Sequence, residues 1–290
     1  MDFMQLAMFT PVISNVKIQN STFIEWIIER IFLMEMESDI LEVCVDSTES
    51  ALAAQEGGAS RLELCGNLVI GGTSPSPCLF QEVQAAVELP VHILIRPRYG
   101  DFCYTEHEFH IMLKEIEMFH RLGAQGVVIG VLCPDGTLDL TRMKQLIQAA
   151  GDMCVTLHRA FDLCADPFAA MEQAKELGIH TILTSGQQNN CCQGKELLRQ
   201  LVRHEEGRIS IMAGGGINPQ TLKELLPYIG AHAWHMSGKA LFQSPMTYRK
   251  KEISMGAASL DEFQILRTSA SQIRQAKEIL THHKEAYHVS

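Results

Sequence analysis

From residue 40 onward the chain alternates short apolar runs with longer stretches of helical period. The apolar runs fall at residues 40–45, 61–65, 91–96, 126–130, 154–158, 181–184, 209–213 and 233–237. Helical patterns fill the intervals at 47–55, 79–87, 106–122, 140–149, 167–177, 194–204 and 219–229. Asp166-Pro167 and Asn218-Pro219 are strong helix starts, with proline at the first helical position; Gly57-Gly58, Gly123 and Gly178 are stops. Eight strands alternating with helices predict an α/β fold, a closed (β/α)8 TIM barrel. An open doubly wound sheet is the alternative, but no Gly-x-Gly-x-x-Gly turn follows the first strand.

Alternation within the strands points to an unusual interior. Glu42 and Cys44 interleave with Leu41, Val43 and Val45; Glu63 and Cys65 interleave with Leu62 and Leu64. Side chains two apart share a face, so each strand has an apolar face and one bearing a carboxylate and a thiol. A strand, helix and strand in this order imply parallel neighbours joined by a right-handed crossover. Cys44 and Cys65 are then expected at matching places near the C-terminal strand ends, where barrels carry function. By the same parity His92, Leu94, Arg96 and Arg98 face inward on the third strand, and Thr156 and His158 on the fifth. Glu42, Glu63, Arg96, His158, His235 and two cysteines are thus expected inside. Buried charge without partners is costly, so these groups should pair with one another, with a metal or with an anionic ligand.

Composition narrows the setting. At 290 residues the chain has room for one large barrel or two smaller domains. An apolar fraction of 46% with 20% charged residues supports a sizeable core. A net charge of -10 argues against nucleic acid as a partner. Nine cysteines in no secreted-framework spacing read as reduced thiols of a cytosolic protein. Residues 1–38 read as an N-terminal extension to a barrel spanning 39–290. Within it residues 23–34 are apolar but interrupted by Glu25, Glu29 and Arg30, and too short to span a bilayer. No signal peptide and no membrane insertion are expected; an amphipathic helix on the outside is, and Met34 or Met36 is an alternative start. His282, His283 and His288 belong to a tail expected to be solvated and frayed.

Several segments together carry a family resemblance: LEVCVDS, RLELC (61–65), IRPRYGDFCY, LHRAFD, LTSGQ, MAGGGIN and the SPMTYR…SMGA stretch. Over about residues 40–281 the chain resembles the CutC family of copper homeostasis proteins. The resemblance implies a TIM barrel, a cytosolic location and copper bound through Cys44 and Cys65; it implies no particular reaction. Residues 1–38 and Cys191-Cys192 lie outside it. This chain has Ala213 where the family commonly has proline, and Gly238-Lys239 where it has alanine-arginine. The second change keeps a positive charge but loses a bidentate fork.

The copper reading has physical support. Thiolates are soft donors suited to Cu(I), and two suffice for a near-linear site; adjacent strands lie about 4.8 Å apart. Met246 and Met255 are candidate thioether donors if their segment covers the mouth. The plainer reading is that free cysteines act as small buried hydrophobes. That reading is preferred for Cys78, Cys103, Cys133, Cys154 and Cys164; Cys191-Cys192 is expected in a polar loop.

An enzyme is the alternative. Arg96 and Arg98 form a candidate clamp for a carboxylate or phosphate. Gly214, Gly215 and Gly216, with Ser237, fall where many barrels bind phosphate on backbone N–H groups. Glu63 and His158 are candidate general base and acid, and Asp162 either orients Arg159 or His158 or caps a turn. The long 239–268 segment after strand eight reads as a lid or as a packed crossover or subunit contact. The sequence therefore predicts a cytosolic copper-homeostasis protein binding Cu(I) through Cys44 and Cys65, forming a homo-oligomer. The runner-up is a barrel enzyme acting on a small phosphorylated or carboxylated molecule, and a non-catalytic interaction module stands third.

Overall fold

The computed structural model describes residues 39–250, 253, 255 and 261–288. Eight strands close a barrel in sequence order: β1 (Ile40–Val45), β2 (Arg61–Leu64), β3 (Val91–Leu94), β4 (Gly126–Ile129), β5 (Cys154–Leu157), β6 (Thr181–Thr184), β7 (Ser210–Gly214) and β8 (Ala233–Met236). All neighbours are parallel, and β8 closes on β1 with Leu41 opposite Trp234. The helices are α1 (Thr48–Glu56), α2 (Pro77–Ala86), α3 (Glu106–Arg121), α4 (Leu140–Ala150), α5 (Pro167–Glu176), α6 (Cys191–Arg203), α7 (Pro219–Ile229) and α8 (Ala270–His288). The TIM barrel that the periodicity predicts is the fold.

Outward-facing Leu41, Val43, Val45, Leu62, Leu64, Ile93 and Ile95 are buried beneath the helices with Phe80, Met112, Ile116 and Phe119. Phe80 and Phe119 meet edge to face, centroids 5.7 Å apart. This layer supplies the main hydrophobic stabilisation. Inside the barrel the apolar groups form two separate patches, Cys44–Cys65–Leu94–Val128 and Leu183–Met212–Ala233. The rest of the interior is polar.

Several strands end a residue or two before the apolar runs do, so that Cys65, Arg96, Gly130, His158 and Ser237 begin the loops at the mouth. One helix boundary moves further. Asn190 caps α6, accepting the Gln193 N–H, so Cys191 and Cys192 form its first turn instead of lying in a polar loop; Cys191 is buried and Cys192 exposed. Cys78 and Cys154 are exposed, which removes them from the core, and all nine cysteines are free thiols.

After β8 the chain forms an antiparallel hairpin, β9 (Lys239–Gln243) with β10 (Gln264–Thr268). Its base is tied to the barrel: Thr268 donates through its hydroxyl to Ser237 O at 3.0 Å and through its N–H to Ser50 Oγ at 3.1 Å. The ends of the long segment are thus a packed crossover. α8 then carries the C-terminal histidines in a helix to His288 instead of a frayed tail. The helix expected at 23–34 lies outside the described residues. Among the described residues, no helix is long and apolar enough to cross a membrane.

Candidate metal and ligand site at the barrel mouth

Register decides the first contacts. Glu42 on β1 lies opposite Arg61 on β2 and opposite His235 on β8. Arg61 Nε donates to Glu42 Oε2 at 2.5 Å, and His235 Nδ1 lies 2.8 Å from Oε1. Glu42 is fully buried. Burial pushes its carboxyl up, but Arg61 and His235 outweigh that and hold it well below the usual carboxylate range. Glu63 is treated differently by the same surroundings: burial, with Glu42 adding to it against His235, pushes it up to about 7. His235, 3.5 Å from Glu63, is raised despite burial by these two carboxylates.

Cys44 and Cys65 face each other across β1 and β2, Sγ to Sγ 3.7 Å. The sulfurs meet, but not at matching heights: the register sets Cys44 opposite Glu63, and Cys65 follows two residues later. The hydrogen bond to Cys65 and burial raise the Cys44 thiol well above its ordinary value, with Glu63 and Glu42 adding to the effect. Cys65 is buried against Leu94 and Val128, and its thiol points at Val45 O, 3.6 Å away. Ligand atoms of Cys44, Glu63 and His235 lie within 4.8 Å of one another. Two thiols, a carboxylate and an imidazole whose Nδ1 is already oriented by Glu42 form a donor set that suits a soft cation. Met246 and Met255 do not join it: they are 53% and 85% exposed and do not line the cavity.

These groups floor a cavity of about 530 Å³ lined also by Arg96, His158, Arg159, the β7 turn, Ser237 and Lys239. The expected arginine pair divides. Arg96 donates through Nη1 to the carbonyls of Gly71 and Gly72 and through Nη2 to that of Gly100, and lies over the Phe102 ring at 5.2 Å. Arg98 instead joins Glu108 at 2.7 Å and Asp101 at 3.0 Å, stacks on Tyr104 and does not line the cavity. It braces the loop after β3, because past the strand end the parity of the strand no longer applies.

His158 packs against Phe102, centroids 4.7 Å apart, and its Nδ1 accepts the Ala160 N–H at 3.1 Å. Burial, then Arg96, pushes it down to about 3. It is therefore neutral at pH 7 with its proton on Nε2, a hydrogen-bond donor; of the two expected acid–base residues, only Glu63 titrates near neutrality. Asp162 takes the first of its two expected roles: it accepts from Arg159 Nε at 2.6 Å, and from Thr184, Ser185 and Gln187. Gly214 ends β7, and Gly215 and Gly216 form the turn after it, with φ of +115° and +77°; a Cβ on Gly214 would lie 2.4 Å from Leu183 Cδ1. Ser237 lines the cavity, and its carbonyl anchors Thr268.

Arg61 and Phe102 are site residues that sequence reasoning passed over, and Arg159 entered it only as a partner of Asp162. Aligning the polar faces of β1 and β2 one step earlier would have found Arg61 opposite Glu42. Phe102 and Arg159 carry no such signal, since loop geometry alone brings them to the cavity.

Comparison with known proteins agrees with this architecture. The CutC family model matches residues 39–240. CutC family proteins of Histophilus somni and Pasteurella multocida are 43% and 44% identical over 239 and 237 residues. Each alignment covers 82% of this chain, and 98% and 97% of the relative. The solved structure of CutC from Streptococcus agalactiae, a protein named for copper homeostasis, superposes with a TM-score of 0.66 at 28% identity. That match covers 69% of this chain and 98% of that one. The chain belongs to the CutC family.

Proposed function

We propose that this is a cytosolic copper-handling protein that takes Cu(I) on Cys44 and Cys65. The observation that carries the reading is the 3.7 Å separation of two buried, unoxidised sulfurs. With metal–sulfur bonds of about 2.3 Å, sulfurs in line across an ion would stand roughly 4.6 Å apart. The shorter spacing favours a bent arrangement with a third donor over the near-linear one that two thiols alone suggest. His235 and Glu63 are the donors within reach. Support also comes from the family, whose Streptococcus agalactiae member is named for copper homeostasis.

Anaerobic titration with Cu(I) against a calibrated chelator tests this. One equivalent should bind tightly to the wild type, fail to bind to Cys44→Ser/Cys65→Ser, and bind unchanged to Arg96→Ala. Binding that survives loss of both thiols would sink the assignment. Because the Cys44 proton must be displaced and its thiol is held well above the ordinary value, apparent affinity should rise with pH across the neutral range. A flat profile would point to donors other than this thiol.

A second reading is favoured by a separate observation: a cavity of about 530 Å³ is far more than one ion requires and suits a small organic ligand. On this reading the barrel is an enzyme acting on a small anionic molecule. Glu63 is the general base, and the anion is held by Arg96, Ser237 and the Gly214–Gly216 turn, with copper binding incidental. Arg98, engaged with Glu108 and Asp101, supports the loop.

A further inference from the structure

Two residues that line the cavity each carry a buried nitrogen with no acceptor. His158 Nε2 and Arg96 Nε lack any hydrogen-bond partner among the described residues, and both residues line the cavity. Each is a donor: Arg96 always, His158 because its Nδ1 already accepts the Ala160 N–H. Both side chains pack on the same Phe102 ring, which sets them side by side. Buried donors are almost always satisfied in a native protein, and leaving one unpaired costs about 1–3 kcal/mol. Two beside one ring mark a place for a ligand oxygen.

A different set of donors comes from the loops after β5 and β7. Arg159 is fixed through Nε by Asp162 and through Nη2 by Ser185 Oγ and Gln188 O, so Nη1 is the nitrogen left for a ligand. Gly215 sits beside it: a Cβ there would come within 3.6 Å of Arg159 Nη1 and 3.1 Å of Ser185. Glycine is thus required both by the positive φ and by the approach of the guanidinium. The ladder position of Gly214 opposite His235 turns the Gly215 N–H towards β8, whereas the Gly216 N–H lies past the last ladder position of β7. Asn218 caps α7 immediately after this turn. A guanidinium and the Gly216 N–H, ahead of a helix N-terminus, stand on one side of the cavity. That arrangement matches a tetrahedral phosphate better than a planar carboxylate, which one arginine fork would satisfy.

We propose that the cavity binds a small phosphate monoester bearing a carbonyl group. The phosphate rests on Arg159 Nη1 and the Gly216 N–H, and the carbonyl oxygen accepts from His158 Nε2–H and Arg96 Nε–H. This rests on the second reading above, narrowing its anion to a phosphate, and it exchanges the acid–base role of His158 for that of a neutral donor. It does not require copper.

Calorimetric titration of the full chain with dihydroxyacetone phosphate, glycerol 3-phosphate, dihydroxyacetone and malonate tests it. Dihydroxyacetone phosphate should bind most tightly, with glycerol 3-phosphate weaker for want of the carbonyl. Arg159→Ala, and Arg159→Gln should the first disturb folding, should weaken both phosphates by about tenfold or more. His158→Phe, which keeps the contact with Phe102, should bring the two phosphates to equal affinity. If malonate binds and the phosphates do not, the phosphate assignment falls while the broader anion reading stands. If none of the four binds, both fall. Phosphate binding indifferent to both Arg159 substitutions, or a carbonyl preference that survives His158→Phe, would overturn the placement.

Discussion

Glu42 and His158 are both almost wholly buried in the barrel, yet they solve the problem of burial in opposite ways. Glu42 keeps its charge because Arg61 and His235 flank it from the neighbouring strands. Removing one partner of a buried pair is costly by about 3–5 kcal/mol; since His235 remains, Arg61→Met should cost about 3 kcal/mol in urea denaturation. Adding Glu42→Gln should recover most of that loss, and a double variant no more stable than the single one would refute the pairing. His158 gives up its charge instead. Its folded pKa of about 3 lies below the ordinary 6.5, so the unfolded chain binds a proton that the native state does not. Its contribution to stability is complete above about 6.5 and is lost as pH falls towards 3, at up to about 1.4 kcal/mol per unit. His92, pushed down to about 4 by burial, acts in the same sense. Glu63 acts in the other, since the folded carboxyl takes a proton between 4.5 and about 7. His158→Phe should therefore shrink the drop in stability between pH 7 and 5 by about 2 kcal/mol. An equal drop in both proteins would mean that the histidine is not held neutral.

Among the elements, α6 and the loop after β6 fit together without slack. Gly194 in the first turn of α6 lies so close to the Ser185–Gly186 backbone that a Cβ would stand 1.9 Å from Ser185 O and 2.9 Å from Gly186 Cα. Backbone cannot yield as a side-chain tip can, so Gly194→Ala should destabilise by about 1–3 kcal/mol, measured as a fall in denaturation midpoint. The effect reaches the cavity, because Ser185 is a partner of both Asp162 and Arg159. A neutral Gly194→Ala would show that the helix can shift. The sequence placed Gly194 at the start of a helix but carried no sign of the backbone it faces, since such contact is a property of two segments and not of either one. The strands were more legible. Alternation in β1 and β2 named Glu42, Cys44, Glu63 and Cys65 as one surface, but the register that sets Cys44 opposite Glu63, with Cys65 reaching it from two residues on, was not legible. Alternation failed at Arg98 because β3 ends at Leu94; four residues later the chain is a loop, and the side chain follows its ion partners.

At the scale of the molecule, the seam between β8 and β1 is covered by α8, which returns after the β9–β10 hairpin. Ile273 of α8 is fully buried against Gly57 and Gly238, where a Cβ would come within 2.4 and 2.6 Å of it. Ile273→Ala should cost about 2–5 kcal/mol, and opening of this helix should appear as faster amide exchange in α8 than in the central strands. Uniform exchange in the two would mean that α8 is no separate unit of stability. Periodicity alone determined the barrel, its strand order and which residues within the strands face inward, because these depend on local alternation and on the single hand of the parallel crossover. The paired cysteines came with it. Only the tertiary structure decided how the interior charges divide between Glu42 and Glu63, that His158 is a neutral donor, and that Arg159 and not Arg98 faces the cavity. Each depends on the distance between groups far apart in sequence, and on how little water reaches them, and no local pattern of hydrophobic and polar positions encodes either.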